Sequence, residues 1–365
     1  MLVKCQRDGL LAACQVVAAA AAGRTTKPIL SSIKAVAEKD TLTLMATDLE
    51  VGIRYALKGV SIDQPGEAIL AINRLIPILR ESPDPEIVID ADDRRAKIFT
   101  TSSEFEMPSE DPKEFPPIPS LEGKYHELTA GVLRSLIRRT SFAVGKDNTK
   151  YAITAVLWEV EDGKARLVAT DTRRLAVATG LANVEAGETK GHSHLVPAKA
   201  MQLLERNLHD DLELVKVALR PNEVIFQTEK AMIYSRLVEG RYPPYQSILP
   251  KKSLAKIPLP VDAFLSSIRQ AAIMTDDETK RVSFVFGKNK LVLQAQGATT
   301  GKSKVEMPVQ YDGEEMRIDF DPNYVVDMLK ILDGRDEITL ELTDNLKPAL
   351  FKHGTDYQYL VMPLT

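Results

Sequence analysis

The chain has 365 residues, of which 44% are hydrophobic and 27% are charged. This is the composition of a folded globular protein, and it excludes collagen, a long coiled coil and a disordered chain. Lys and Arg total 47 against 51 Asp and Glu, a net charge of −4, so bulk attraction to nucleic acid or to an acidic membrane is excluded and any such binding must be local.

The first predicted elements are a short strand and an Ala-rich helix that holds the apolar stretch from Leu10 to Ala22. This stretch is shorter than the roughly 18 residues of a membrane helix, so no membrane partner is expected. Leu11 to Cys14 resembles a lipoprotein processing site, and export is the alternative. Only four apolar residues precede Cys14, fewer than a signal sequence needs, so an amphipathic helix and a cytoplasmic location are favoured.

Three landmarks then recur at nearly one interval, which indicates an internal repeat. Each copy has a strand, a short helix and a closing strand in the same order. The strands centre on Ala46, Ala169 and Ala295, spaced by 123 and 126 residues; the helices end near Leu79, Leu204 and Leu329, spaced by 125 and 125; the closing strands lie at Met107, Leu237 and Met362. Three copies of about 122 residues account for the chain of 365.

Within each copy, period-2 and helical runs predict the order strand, helix, strands, helix, strands. This indicates an α+β module with antiparallel sheets. Ten of the 21 prolines fall between Pro108 and Pro119 or between Pro243 and Pro260, and such Pro-rich stretches act as spacers. Domains are therefore predicted at residues 1–117, 124–246 and 253–365.

The first helix of the second copy has two different faces. Leu133, Leu136 and Ile137 lie on one side. Arg134, Arg138 and Arg139 lie on the other side. A basic helix face usually just contacts water, but in a repeated module it is also what a protein needs to follow a phosphate backbone.

In the third copy, Gly297 to Ser303 resembles a phosphate-binding loop. Such a loop needs four residues between its glycines and a helix after it, whereas three residues separate Gly297 from Gly301 and a strand is predicted over 304–309. A hairpin turn is favoured, and a nucleotide-binding enzyme that uses this loop is the alternative.

Other patterns that suggest chemistry are also explained by ordinary surface residues. They are Ser31 with Lys34, His192 with His194, and the acidic pairs Asp92-Asp93 and Asp276-Asp277. The serine and lysine lack the other motifs of an acylase. The histidines lack neighbouring ligands and are expected in an exposed loop, and the acidic pairs are expected to face water. No catalytic residue, metal or cofactor is predicted.

Five motifs carry a resemblance to a known family. They are Ala46-Thr-Asp-Leu-Glu50, Tyr151-Ala-Ile-Thr-Ala-Val-Leu-Trp-Glu159, Val168-Ala-Thr-Asp-Thr-Arg-Arg-Leu-Ala176, Glu239-Gly-Arg-Tyr-Pro-Pro-Tyr245 and Tyr359-Leu-Val-Met-Pro-Leu364. From end to end the chain resembles the bacterial DNA sliding clamps, the beta subunits of DNA polymerase III. The resemblance implies three similar clamp domains per chain and a head-to-tail homodimer that forms a closed ring, with helices lining the hole and antiparallel sheets outside.

The resemblance also implies the function. The ring would be non-enzymatic, would encircle double-stranded DNA and would tether the replicative polymerase, conferring processivity. Its partners would be the DNA polymerase III alpha subunit, the clamp loader, and other polymerases and repair proteins that carry short clamp-binding peptides. A specialised paralogue in repair or damage tolerance remains an alternative.

The site residues follow from the resemblance by position. DNA-facing candidates are Arg24 and Lys199, with Arg7, Arg74, Arg80, Arg134 and Arg138 on the lining helices. The partner-peptide cleft would consist of Ile153, Thr170, Thr172, Arg173, Arg174, Leu175, Pro243, Ile248, Leu360, Met362, Pro363 and Leu364. The dimer interface would join Phe105 and Met107 of one chain to Ile273 and Met274 of the other.

Two features depart from the family pattern. Thr172 and Arg173 stand where many relatives have Gly and His. The third copy is acidic, with a net charge of −3 over residues 319–334 against +4 over residues 129–150. The first departure bears on partner binding, and the second bears on DNA contact by the third domain.

Overall fold

The computed structural model of the protein describes residues 1–147, 151–184, 194–250, 252–276 and 280–364. These residues form two compact units. The first takes in Met1–Leu133, the segment that begins at Asn183, and Lys199–Val238; the second takes in Arg134–Ala182, the segment that ends at Ala198, and the chain from Glu239 onward. The second sequence copy therefore contributes to both units.

The first copy has the order strand, helix, five strands, helix, three strands. Its elements are β1 (Leu2–Gln6), α1 (Arg7–Ala18), β2 (Ser32–Glu38), β3 (Thr41–Thr47), β4 (Val51–Lys58), β5 (Ser61–Gln64), β6 (Gly66–Ala71), α2 (Ile72–Glu81), β7 (Glu86–Ala91), β8 (Arg95–Phe99) and β9 (Glu104–Pro108).

The second copy repeats this order. Its elements are β10 (His126–Thr129), α3 (Ala130–Thr140), β11 (Ala155–Glu161), β12 (Lys164–Thr170), β13 (Arg174–Leu181), β14 (Asn183–Val184), β15 (His194–Pro197), α4 (Ala198–Arg206), β16 (Leu214–Leu219), β17 (Glu223–Gln227) and β18 (Ala231–Arg236). The repeat is therefore present in the structure as well as in the sequence.

In its described part, the third copy has the same order with one strand fewer before its second helix. Its elements are β19 (Ala255–Pro260), α5 (Val261–Ala272), β20 (Val282–Gly287), β21 (Lys290–Gly297), β22 (Gly301–Pro308), β23 (Met316–Phe320), α6 (Pro322–Leu329), β24 (Glu337–Leu342), β25 (Ala349–His353) and β26 (Tyr357–Val361). The predicted α+β architecture of three similar modules is confirmed.

The strands form four antiparallel sheets within the described ranges. Their strand orders are β5-β1-β7-β8-β9, β14-β10-β16-β17-β18-β4-β3-β2-β6, β15-β11-β12-β13-β26-β25-β24-β19 and β22-β21-β20-β23. Two of the sheets join consecutive copies. The last strand of the second copy, β18, pairs with β4 of the first, and the last strand of the third copy, β26, pairs with β13 of the second.

The helices are amphipathic, as their sequences predict. In α1 the buried residues Leu10, Ala13, Cys14 and Val17 recur at helical spacing, and this face packs against α2 in the first unit. The Ala-rich stretch is thus an amphipathic helix that ends at Ala18. Among the helices of the described chain, not one combines the length and the apolar character needed to cross a membrane.

Candidate functional site

The turn between β12 and β13 is fixed by its own side chains. The Thr170 hydroxyl donates to the Arg174 carbonyl at 2.6 Å and accepts the Thr172 N–H at 3.1 Å. One Asp171 oxygen accepts the N–H groups of Arg173 and Arg174 at 2.9 and 3.0 Å. Thr172 has φ +77°, a left-handed conformation in which a β-branched residue is strained. The sequence thus encodes a rigid turn that positions Arg174.

Arg174 is held on all sides within the second unit. Its guanidinium contacts Asp171 at 3.0 Å and Asp327 at 2.8 Å, and it donates to the Phe142 carbonyl at 2.8 Å. It also lies over the rings of Phe142 and Tyr324, 5.3 and 4.9 Å from their centroids. With 11% of its side chain exposed, Arg174 forms a fixed cationic wall.

The pairing of β13 with β26 brings two parts of the predicted cleft together. Leu175 lies opposite Leu360 in the register, and both are buried. Beyond β26, the Met362 N–H donates to the Arg173 carbonyl at 2.8 Å, and the Leu364 N–H donates to the Asp319 carbonyl at 2.8 Å. The end of the chain is therefore anchored beside the 170–174 turn, as the resemblance implies.

The segment that carries Pro243 and Ile248 is anchored to the same sheet by two tyrosines. The Tyr242 hydroxyl donates to the Val168 carbonyl at 3.0 Å. The Tyr245 hydroxyl donates to Glu159 at 2.7 Å, and burial together with this carboxylate raises the pKa of Tyr245 to about 12. Both phenols therefore stay protonated donors near neutral pH.

The apolar residues of the cleft differ in accessibility. Ile153, Leu175, Leu360 and Pro363 are buried in the chain's own core, whereas Ile248 is 44% exposed. Met362 and Leu364 are half-buried. Among these apolar residues, accessible surface is therefore offered by Ile248, Met362 and Leu364.

A turn of the same construction joins β3 and β4 in the first unit. The Thr47 hydroxyl donates to the Val51 carbonyl at 2.8 Å and accepts the Leu49 N–H at 3.0 Å. One Asp48 oxygen accepts the N–H groups of Glu50 and Val51 at 3.0 and 2.7 Å, and Leu49 has φ +77°. Asp48 and Asp171 therefore have the same role in two copies.

The outer oxygen of Asp48 pairs with Lys199, the second residue of α4, at 2.5 Å. Burial raises the pKa of the Asp48 carboxyl, but the Lys199 hydrogen bond and the two backbone N–H groups outweigh burial and lower it below its ordinary value. Lys199 is thus a DNA-facing candidate with a carboxylate partner. The sequence motifs did not indicate Asp48 as a functional residue, although the 123-residue offset from Asp171 was available as a signal.

The other DNA-facing candidates lie mostly on exposed surfaces. Arg24 is exposed in the loop after α1. Arg74 and Arg80 are exposed on α2, on the side away from its buried leucines. Arg7 differs, because it contacts Asp8 at 2.7 Å and the carbonyl of Leu79 and is partly buried.

On α3, the predicted division into two faces is confirmed. Leu133, Leu136 and Ile137 are buried. Arg138 is exposed, and Arg134 and Arg139 are half-buried. The charge pattern of this helix therefore corresponds to a core face and a surface face.

The residues predicted at the dimer interface lie at sheet edges and helix ends. Phe105, on the edge strand β9, is 39% exposed, and Ile273, just after α5, is 70% exposed. Met274 is half-buried. Met107 is 5% exposed, so it packs inside its own sheet and offers little surface to a partner.

The Gly297 segment is a hairpin, as predicted. β21 and β22 pair up to Gly297 and Gly301, and Lys302 lies in a strand instead of a helix. The Ala298 N–H donates to Asp276 at 2.8 Å, which ties the hairpin to the end of α5. The segment therefore lacks the helix that a phosphate-binding loop requires.

The remaining sequence patterns form no site in the described residues. Lys34 pairs with Glu67 at 2.8 Å, while Ser31 donates to the Ala22 carbonyl. Asp92 caps its own turn. The described ranges hold no His, Cys, Asp and Glu cluster suited to a metal ion.

The prediction that His194 lies in an exposed loop is wrong. His194 is the first residue of strand β15, lies opposite Trp158 of β11 in the register and is half-buried. It therefore belongs to the sheet and not to the preceding loop. His192 and Asp277 lie outside the described residues.

The comparisons with known proteins agree along the whole chain. The sequence matches the DNA polymerase III beta subunit family in its N-terminal domain over residues 1–119, its central domain over residues 127–244 and its C-terminal domain over residues 246–365. The Beta sliding clamp of Bacillus subtilis is 29% identical, covering 96% of this chain and 95% of that protein. The Beta sliding clamp of Pseudomonas putida is 28% identical, covering 98% of each.

Solved structures give the same result. The DNA polymerase sliding clamp from Bacillus subtilis superposes with a TM-score of 0.93 at 28% identity, covering 100% of this chain and 99% of that one. The sliding clamp from Pseudomonas aeruginosa bound to griselimycin gives a TM-score of 0.93 at 27% identity, with the same coverage.

Proposed function

This chain belongs to the DNA polymerase III beta subunit family, the bacterial sliding clamps, and on that premise we propose that it closes around duplex DNA as a head-to-tail homodimer. It serves replication as a clamp, and it would act in the cytoplasm. Tethering makes each rebinding of polymerase intramolecular at high effective concentration, so processivity rises without any catalytic residue. We retain domain boundaries at 1–117, 124–246 and 253–365.

One observation supports the closure. Two junctions between copies pair equivalent strands, and the two strands that could form a third junction of this kind lie at sheet edges in the described chain. At each junction the last strand of one copy pairs with the fourth strand of the copy before it, β18 with β4 and β26 with β13. The last strand of the first copy is β9, and the fourth strand of the third copy, the counterpart of β4 and β13, is β22. Both are edge strands in the described sheets. A second chain can pair β9 with β22 head to tail, and two such junctions close a symmetric ring.

The exposed apolar residues support the same interface. Phe105 projects from β9, while Ile273 and Met274 lie at the end of α5, which packs against β22. Burying a large aliphatic side chain that is otherwise exposed contributes about 1.5–3 kcal/mol. These side chains are therefore suited to join unlike ends of two chains.

The dimer is tested by replacing Ile273 and Met274 with Ala. We expect a folded monomer in analytical ultracentrifugation, because both side chains leave the interface without disturbing a core. Leu254→Ala, which truncates another exposed leucine of the third copy, should remain dimeric. A dimer of unchanged affinity in the double variant would remove these residues from the interface.

Polymerase and other partners would bind in the second unit, on the surface formed by Ile248, Met362 and Leu364 beside Arg174. Apolar side chains next to one fixed polar group are typical of a groove that takes a short extended peptide. We propose the DNA polymerase III alpha subunit, the clamp loader, and other polymerases and repair proteins as its ligands.

Encirclement is tested by topology. Clamps loaded on nicked circular DNA should survive a wash at high salt and should leave once the circle is linearised, since a ring needs no fixed phosphate contacts to stay on. A protein held by charge would dissociate from both forms, because 6–10 phosphate contacts lose roughly 10³–10⁵ in affinity between 50 and 200 mM salt. Equal loss from circles and linear DNA would contradict the ring.

A further inference from the structure

Lys199 is not a free cation in this structure. Its ammonium lies 2.5 Å from Asp48, and 48% of its side chain is exposed against 19% for Asp48. Arg24 differs, because within the described residues no carboxylate forms an ion pair with it. The two main basic candidates for DNA contact therefore differ: in the described structure Lys199 is paired with a carboxylate and Arg24 is not.

Asp48 is held in place independently of Lys199. Its inner oxygen accepts the backbone N–H groups of Glu50 and Val51, and the Thr47 hydroxyl closes the same turn. The outer oxygen is thus directed at Lys199 by the backbone. A carboxylate held in this way does not move aside without opening the turn.

We propose that the Asp48 carboxylate weakens DNA binding, because it competes with DNA phosphate for the Lys199 ammonium. The inference rests on the proposed function, in which Lys199 faces DNA. A phosphate must take over at least part of the ammonium's hydrogen bonding from Asp48, and it does so beside a second negative charge. The contact between Lys199 and a DNA phosphate is therefore weakened by the neighbouring Asp48 carboxylate.

Such weakness suits a ring that must move along DNA. A lysine without a competing carboxylate neutralises a phosphate and releases its counterions, with a slope of about −0.9 in log affinity against log salt per contact. With Asp48 beside it, the pair carries no net charge, and most of that contribution is lost. The ring then keeps DNA by enclosing it instead of by holding one set of phosphates.

The test uses Asp48→Asn, Lys199→Ala and the double variant of the dimeric protein. Asn keeps the oxygen that caps the turn and puts an amide nitrogen in place of the outer oxygen, so the charge and the acceptor that hold the Lys199 ammonium are both removed. Asp171→Asn is the matched control, since Asp171 caps the equivalent turn but pairs with Arg174. Binding of a fluorescent linear duplex is measured by anisotropy at several salt concentrations between about 50 and about 200 mM.

We expect Asp48→Asn to raise the association constant about 2–5-fold, the range of an ion pair at a partly exposed site, and to steepen the salt slope by up to about 0.9. Asp171→Asn should change neither. The double variant should bind like Lys199→Ala alone, because the effect of Asp48 acts through Lys199.

The two hypotheses fail in different ways. If Lys199→Ala lowers DNA affinity and Asp48→Asn leaves both the affinity and the slope unchanged, the competition is overturned while the DNA-facing role of Lys199 stands. If Lys199→Ala has no effect, the DNA-facing assignment itself fails. An equal gain from Asp48→Asn with and without Lys199 would show a general charge effect and would also overturn the proposal.

Discussion

The junction between the first and second copies and the junction between the second and third use one backbone design with different side chains. In both, a Thr-Asp turn faces the second helix of the following copy. In the first junction the Asp48 carboxylate receives Lys199 of α4, and the pair is partly exposed. In the second, Arg174 of the turn itself reaches Asp327 of α6 and is nearly buried. The same type of turn thus holds a partly exposed lysine at the first junction and a nearly buried arginine at the second.

The apolar sides of the two junctions differ in the same way. Gly52 occupies the position of Leu175, and Tyr234 faces it across β4 and β18. Ile118 fills the space there, since a Cβ added at Gly52 would lie 3.1 Å from its side chain. Leu121 follows Pro116-Pro117 at the same distance as Ile248 follows Pro243-Pro244, and it packs against the cluster that contains Ile118, whereas Ile248 is 44% exposed. The first junction is closed, and the second keeps a surface for partners.

The comparison predicts its largest effect at Arg174. Arg174→Ala leaves Asp171 and Asp327 without their partner, and because these carboxylates are 19% and 38% exposed, we expect it to destabilise the protein by about 1.5–3 kcal/mol. Lys199→Ala removes a partly exposed pair and should cost only about 0–1 kcal/mol. Urea unfolding of the two variants checks the difference. Equal losses would mean that the two junctions are energetically alike.

Removing Met362 to Thr365 should abolish peptide binding at the second junction. A single hot-spot residue contributes about 2 kcal/mol or more, and the truncation removes two half-buried apolar residues, Met362 and Leu364. Anisotropy of a labelled polymerase-derived peptide measures the loss, and ultracentrifugation should show that the dimer is retained.

Ile118→Ala is the matched control for the truncation, because it removes apolar volume from the closed junction. Its peptide affinity should equal that of the wild type. Undiminished binding by the dimeric truncated protein would place the partner site elsewhere.

Introducing a leucine at Gly52 should test whether the first junction is full. Gly52→Leu copies the residue of the second junction into space already taken by Ile118, and overpacking of this kind costs about 1–3 kcal/mol. Gly23→Leu is the control, since no atom lies within 4 Å of a Cβ added there, and it should change stability by less than about 0.5 kcal/mol. If Gly52→Leu left the free energy of unfolding unchanged, the first junction would have to open enough to accept the added side chain.

The smallest effect is expected from the turns themselves. Thr172→Gly removes a β-branched residue from a left-handed conformation, and we expect a stabilisation of about 0.5–1 kcal/mol after the entropy of the unfolded glycine is subtracted. Leu49→Gly should gain less, because leucine is not β-branched. Thermal unfolding checks the order, and a loss of stability in Thr172→Gly would show that the threonine side chain stabilises the turn.

Much of the fold was predictable because it depends on patterns among residues that are close together in the sequence. Periodicity and the repeat interval predicted the order of elements in each copy, and Ala46, Ala169 and Ala295 do lie in equivalent strands. Glycine spacing and the following strand pattern predicted the hairpin after Gly297. Periodicity and glycine spacing need only neighbours a few residues apart, and the repeat interval needs only a comparison of such local patterns along the chain.

The site residues depended on a resemblance, and their contacts were not predictable from local pattern. Lys199 meets Asp48 across 151 residues, and Arg174 meets Asp327 across 153. Neither pairing has any periodic signal, because hydrophobic periodicity reports which face is buried and not which residue lies opposite.

By itself, then, the sequence determined three α+β copies, the amphipathic faces of their helices and the positions of their turns. Only the tertiary structure decided that β18 joins β4 and β26 joins β13, that Ile118 fills one junction, and that Met107 is buried. The physical reason is that strand edges offer the same N–H and C=O groups to any partner, so the choice among edges is made by side-chain packing over the whole sheet.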